Sequence, residues 1–265
     1  FLSQIDDNEA MKSNWQKAIF SLLKSKKELK YGAAFSSQAT LIVLIGSIAL
    51  TSFSLVSLSS KYQIEILQLA SANGAEFDPI KAIETLAVKG RAPKTGYSRS
   101  AFGPAWADVD RNGCDTRNDI LKRDLTQITF RAKTKDCVVE SGVLLDPFSG
   151  ESINFQRGEK TSALVQIDHV VALSNAWQTG IFKADLATRK SFANDPLNLL
   201  AVKGSLNSQK GDGDAATWLP PNKQFRCDYV SRQVEVKVKY NLWLTRAERD
   251  AILRILTNPP CLKQD

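Results

Sequence analysis

A run without a single charge, residues 31–60, divides this chain before anything else can be said of it. Its centre reads LIVLIGSIALTSFSLVSL. That length is about the ~18–20 residues needed to cross a bilayer, although Ser, Thr and Gly dilute its hydrophobicity. KSKKELK stands directly before the run and the flank after it is less basic. The positive-inside asymmetry therefore puts the N-terminus in the cytosol and the chain beyond about Lys61 outside. Small-residue sites near residues 57–59 and at ASANGA leave cleavage as a signal peptide and retention as an anchor both open. A buried core helix is the competing reading, but a long charge-free run with a basic front favours export.

The organisation that follows is a basic cytosolic lead (1–30), a signal peptide or signal-anchor helix (31–60), a helical linker (61–96) and one domain (97–265). The stretch RAPKTGYSRS reads as the polar end of that linker. Of the net charge of +7, residues 1–60 carry +2, which leaves +5 on the remainder. An excess of that size suits a polyanionic partner without requiring one.

Four cysteines, Cys114, Cys137, Cys227 and Cys261, contain no C-x-x-C pair, so zinc-ribbon spacing is absent. An even count in an exported domain predicts two disulfides. Of the three connectivities, Cys114–Cys137 with Cys227–Cys261 is preferred, because each joins sequence neighbours and the second ties down the C-terminal tail. Buried free thiols would be the default in a cytosolic protein.

The local patterns predict an α+β domain with little sheet. GVLLDPFSGESINFQRG reads as two short strands around a turn built on Asp146, Pro147, Ser149 and Gly150. SALVQID and NLLAV read as two more strands, the second running into Gly204 and a helix start. FRCDYVSRQVEVKVKYNLWL and TRAERDAILRIL read as C-terminal helices, the second with Thr245 and Glu248 at capping-box positions.

Chemistry concentrates around the only histidine, His169. A lone histidine is more often structural than catalytic. Here, however, it follows Asp168 at the end of a strand, Asn198 begins the next strand, and Asn207 lies at a helix start three residues before Lys210. Asp168 and Asn207 offer hard oxygens of the kind magnesium prefers. Two protein ligands leave positions for water and phosphate oxygens, and a neutral His169 can take a proton from an attacking water.

On GCDTRNDIL, RDL, QIDHVVALSNAW, FANDPLNLLAV and KGDGDAATWLPPN, spread over residues 96–261, the sequence resembles the HNH, or ββα-metal (His-Me finger), endonucleases. It is most similar to the exported actinobacterial HNH family related to the GmrSD C-terminal nuclease domain. The resemblance implies a ββα-metal core with flanking helices and short strands. It implies His169 as general base, Asp168 and Asn207 as ligands of a divalent metal, magnesium first and manganese second, and Asn198 as a brace of the loop. It further implies 5′-phosphate and 3′-hydroxyl products from DNA or RNA. The zinc-binding cysteines of many HNH proteins are missing, so the disulfides would brace the fold instead.

Three basic residues are candidates for phosphate binding. Lys210 could equally be a solvated helix residue, Arg117 could instead pair with Asp115 or Asp119, and Arg157 is a further basic side chain of the kind that holds a nucleic-acid backbone. DVDRNGCDTRND also fits the start of a calcium loop, with Asp119 at its twelfth position. It reads better as a turn carrying a disulfide cysteine. A non-catalytic, calcium-binding cell-surface module is therefore the alternative to the nuclease. No P-loop, dinucleotide fingerprint or G-x-S-x-G is present. Location at the outer membrane face or in the medium follows from the charge-free run, with residues 31–60 as the membrane contact if uncleaved. Neither sequence preference nor an immunity partner is specified by these motifs.

Overall fold

The computed structural model describes residues 77–258 and Cys261. The expected lead (1–30), the expected signal or membrane segment (31–60) and most of the expected linker lie outside the described residues. Among those described, no helix is long and apolar enough to cross a membrane.

Asp78 starts the first helix, α1 (Pro79–Thr85), by accepting from the amides of Ile80 and Lys81, with Pro79 in the first turn. This helix buries Ala82 and Ile83 in a core shared with the two C-terminal helices. The segment after it is fastened as well. The amide of Ala92 donates to Gln178 O at 2.8 Å, Trp177 Nε1 donates to Thr95 O at 3.2 Å, and Lys94 pairs with Asp212 at 2.6 Å. The expected linker up to residue 96 is thus corrected from α1 onward: these residues are part of the folded body, which begins well before residue 97.

Asp115 caps α2 (Thr116–Asp124), which runs directly into β1 (Leu125–Phe130). β1 pairs with β2 (Val139–Leu145), and β2 with β3 (Ser152–Gln156), as an antiparallel meander. The β2–β3 turn uses the expected residues. Asp146 Oδ2 accepts from the amide and hydroxyl of Ser149, and Gly150 sits at φ 78°.

A separate two-stranded sheet carries the residues of interest. β4 (Val165–His169) and β5 (Leu199–Lys203) pair antiparallel, with His169 opposite Leu199. The chain between them forms α3 (Leu173–Gln178) and α4 (Leu186–Ala193). β5 passes without a loop into α5 (Gly204–Lys210), which touches both strands. Glycine is required at the junction, because a Cβ at residue 204 would run into the carbonyl oxygen of Ala163.

Val165, Ile167, Leu199 and Ala201 pack with Ile120, Leu121, Val139, Leu144 and Phe155, which seats this sheet on α2 and the meander. Helix α6 (Arg226–Lys239) stops five residues short of the expected Leu244, where Asn241 turns to φ 50° and Leu244 bridges to Val88. α7 (Arg246–Leu256) opens with the expected capping box of Thr245 and Glu248. Glu248 also faces the buried ammonium of Lys237 at 2.8 Å. Both expected disulfides are present, Cys114–Cys137 and Cys227–Cys261, with Cα separations of 5.0 and 5.5 Å.

Candidate functional site

Side chains two apart on a strand share a face, and side chains three apart on a helix are neighbours. On β4 these are Gln166 and Asp168; on α5 they are Asn207 and Lys210. The two pairs interlock. Asn207 Nδ2 donates to Gln166 Oε1 at 2.8 Å, and Lys210 Nζ donates to Asp168 Oδ1 at 2.8 Å. Lys210 also donates to the His169 carbonyl at 2.7 Å.

Lys210 and Asp168 are buried together, their side chains 0% and 3% exposed. The expectation that Lys210 holds a phosphate is therefore corrected: its ammonium is spent inside the protein on Asp168 and on the end of β4. Asp168 Oδ2, by contrast, is buried and has no donor. An unpartnered carboxylate oxygen in a protein interior is costly, and a cation is one partner that would satisfy it. With its amide group turned to Gln166, Asn207 keeps its carbonyl oxygen as a second hard oxygen donor. Among the described residues no group of three or more His, Cys, Asp or Glu side chains forms a ready-made metal cage. The donor set fits a divalent ion whose shell is completed by water and a phosphate.

His169 Nε2 lies 2.8 Å from Ala193 O. A carbonyl only accepts, so Nε2 carries the proton and Nδ1 is the basic nitrogen of the neutral ring. Burial pushes the His169 pKa down to about 4, against the raising effects of the Ala193 hydrogen bond and of Asp168. Lys210 and Arg99 add to the lowering. The imidazole is thus neutral and able to accept at pH 7. The Trp106 ring lies beside it, nearly parallel at 16° and 6.1 Å between centroids.

Asn198 is fully buried, and its side chain staples the chain that follows His169. Its Oδ1 accepts from Val171 N at 2.8 Å, and its Nδ2 donates to Val171 O at 3.3 Å. Its own carbonyl accepts from Val170 N at 2.8 Å.

Asp168, His169 and Asn207 open onto one cavity of about 460 Å³, together with Arg117, Arg99 and Trp106. Arg117 donates to Val165 O at 3.2 Å and forms no ion pair with Asp115 or Asp119. Burial, and then the nearby Arg157, lowers its pKa. Arg157 is placed elsewhere. It donates to Val139 O and to Asn118 Oδ1, both at 2.6 Å, and so fastens β2 to α2. Of the three expected phosphate ligands, only Arg117 faces the cavity.

Arg99, Trp106 and Gln166 were not among the expected site residues. Arg99 lies in the stretch that reads as a linker, and Trp106 is one of five tryptophans in the sequence, with no motif to single it out. Gln166 did carry a signal, its two-residue spacing from Asp168. The calcium-like stretch closes on itself. Asp108 Oδ2 accepts from Gly113 N, Asp110 holds Asn112, and Asn112 reaches Asp119. Burial, with Asp110, Asp115 and Asp108 close by, raises the Asp119 pKa. These carboxylates serve a turn that delivers Cys114 to its disulfide.

A family model described as the C-terminal domain of GmrSD restriction endonucleases matches residues 115–255. An uncharacterized secreted protein of Arthroderma benhamiae is 36% identical over 173 residues, which cover 64% of this chain and 79% of that protein. No solved structure matches. The matched span contains β4, β5 and α5 with all four residues Asp168, His169, Asn198 and Asn207, and it leaves Arg99 and Trp106 outside.

Proposed function

Because the chain belongs to the family of GmrSD restriction endonuclease C-terminal domains, we propose that it is a metal-dependent endonuclease of the HNH kind, acting on the phosphodiester bonds of DNA and, as the second substrate to try, RNA. The observation that carries the reading is the pairing of a buried, donorless Asp168 Oδ2 with a neutral histidine one residue away, in a cavity that also holds Arg117. The order β4–β5–α5 supports a ββα-metal core.

In this reading His169 Nδ1 takes the proton of the attacking water while Nε2 stays anchored on Ala193 O. Arg117 holds the non-bridging phosphate oxygens. Asn198 fixes the backbone that follows the base, and Lys210 fixes the Asp168 carboxylate so that Oδ2 remains presented. Asp168 and Asn207 would hold a divalent ion, magnesium or manganese, which supplies Lewis-acid stabilisation of the charge that develops on phosphorus and on the leaving 3′ oxygen. The ammonium of Lys210 on the same carboxylate weakens that hold, so the phosphate of the substrate completes the site.

Export is part of the proposal. It is supported by the name of the Arthroderma benhamiae relative and by two disulfides, which persist in oxidising compartments. Residues 31–60 would tether the enzyme if they stay uncleaved. A supercoiled-plasmid assay tests the reading: nicking with magnesium that stops on adding a chelator is expected. Intact plasmid under both conditions, with a single-stranded RNA also left whole, contradicts it.

A further inference from the structure

We propose that a second cavity beside His169 takes one unpaired nucleobase, so that the substrate of this site is single-stranded or locally unpaired nucleic acid. The proposal rests on the nuclease reading above and adds the form of the substrate.

The second cavity, of about 320 Å³, shares Arg99, Trp106, His169 and Leu173 with the first. Its chemistry differs from that of its neighbour. Phe102, Gly103, Pro104 and Ala105 make most of the remaining wall. Set against the Asp168 and Arg117 side chains of the first cavity, this is a division between an ionic chamber and an apolar one. A nucleotide has that same division, a charged phosphodiester joined through a sugar to a flat apolar ring with polar edges. Trp106 belongs to both chambers, and indole faces are stacking platforms for any base. The residue is held at φ 55°, a costly backbone conformation for a bulky side chain.

One residue of the apolar chamber's wall carries a buried polar atom that lacks a partner. Asn194 lines it and is 1% exposed. Its Nδ2 donates to Lys190 O at 2.9 Å, while Oδ1 has no donor among the described residues. An N–H on the edge of a base is the donor that such a site would accept. A duplex leaves one amino N–H of adenine or cytosine free in the major groove, but its bases are stacked on one another, so a base must be extruded or unpaired to lie on Trp106 and reach this oxygen. Size agrees, because a chamber at the small end of the ~300–1,000 Å³ usual for ligand sites suits a single base. Arg99 is exposed, borders both chambers and forms no ion pair among the described residues, so it is free to hold the phosphate between them.

The test is an abasic scan. Short end-labelled single strands, each with one nucleotide replaced by a tetrahydrofuran abasic unit, are cut by the wild-type protein with magnesium, and product lengths are mapped. Cleavage at the linkage next to the abasic unit should fall about ten-fold or more, within the roughly 5- to 150-fold that stacking a base on an aromatic ring supplies. The same sequence as a perfect duplex should be cut more slowly than the single strand, and a mismatch should restore cleavage. Ala105→Phe, which fills the apolar chamber, whose wall includes neither Asp168 nor Asn207, should remove the difference between intact and abasic strands. Cutting of every abasic strand within about two-fold of the intact one, together with equal rates on duplex and single strand, would overturn the subsite while leaving the nuclease standing. No metal-dependent cleavage of any strand would overturn the nuclease reading and the subsite with it. The scan on the wild type decides the matter even if Ala105→Phe fails to fold.

Discussion

Lys210 shows how the interior of this site is balanced. Asp168 has one oxygen on a buried ammonium and one on nothing. Removing one partner of a buried ion pair leaves the other charge uncompensated and costs ~3–5 kcal/mol. Lys210→Met should therefore lower the melting temperature markedly. It should also make stability respond to magnesium more strongly than in the wild type, because an ion at Oδ2 becomes the only counter-charge. Thermal melts of both proteins with and without magnesium check this, and an unchanged melting temperature would remove Lys210 from its role beside Asp168. At this scale much was legible in the residues: Asp168, His169, Asn207 and Arg117 share one cavity. What the residues could not reveal was direction. Lys210 and Arg157 are basic in any reading, and only the packed fold turns their charges inward, onto Asp168 in one case and onto Val139 and Asn118 in the other.

At the scale of elements, the site is a strand face laid against a helix face. The junction that sets their angle is Gly204, where β5 becomes α5 within one residue. A Cβ there meets the Ala163 carbonyl, so Gly204→Ala must shift either the helix or the turn that precedes β4. Overpacking of this kind costs ~1–3 kcal/mol. Activity should fall further than that loss alone explains, since Asn207 and Lys210 ride on the displaced helix. Cleavage rates compared with melts on the same sample separate the two effects, and a variant with full activity and full stability would contradict the tight junction. β4, β5, α5, the Asp146–Gly150 turn and the Thr245–Glu248 capping box follow from local pattern, and each was readable in the sequence. α2 and β1 were not. TRNDILKRD is polar apart from two residues, and LTQITF buries only Leu125 fully, so both are held by the sheet and core they join rather than by their own periodicity. The same is true of the strap at residues 90–96, whose polar composition hides its ties to Gln178, Trp177 and Asp212.

At the largest scale, and among the described residues, two disulfides and the buried Lys237–Glu248 pair hold the periphery to the core. Cys227–Cys261 fastens the tail to the start of α6, and Lys237–Glu248 joins α6 to α7. Removing a native bridge from an exported domain typically costs ~2–5 kcal/mol. Cys227→Ser with Cys261→Ser should lower the melting temperature while leaving kcat close to that of the wild type below the transition, because neither cysteine lines the site cavity. A melt and a rate measurement on one preparation check both halves, and lost activity at full stability would tie the tail to the site instead. The pairing itself could be anticipated from sequence order, whereas the early domain start could not, since α1 is defined by what it packs against. In the proposed mechanism His169 moves the proton while Asp168 holds the ion, and that division of labour is tested by cleavage rate against magnesium concentration for the wild type, His169→Ala and Asp168→Ala. The wild type should give a saturating curve. His169→Ala should give a curve of unchanged midpoint but ~10²–10⁴-fold lower plateau, and Asp168→Ala a curve shifted to higher magnesium with partial recovery. A His169→Ala protein that cleaves at the wild-type rate, or an Asp168→Ala protein with wild-type metal dependence, would contradict it.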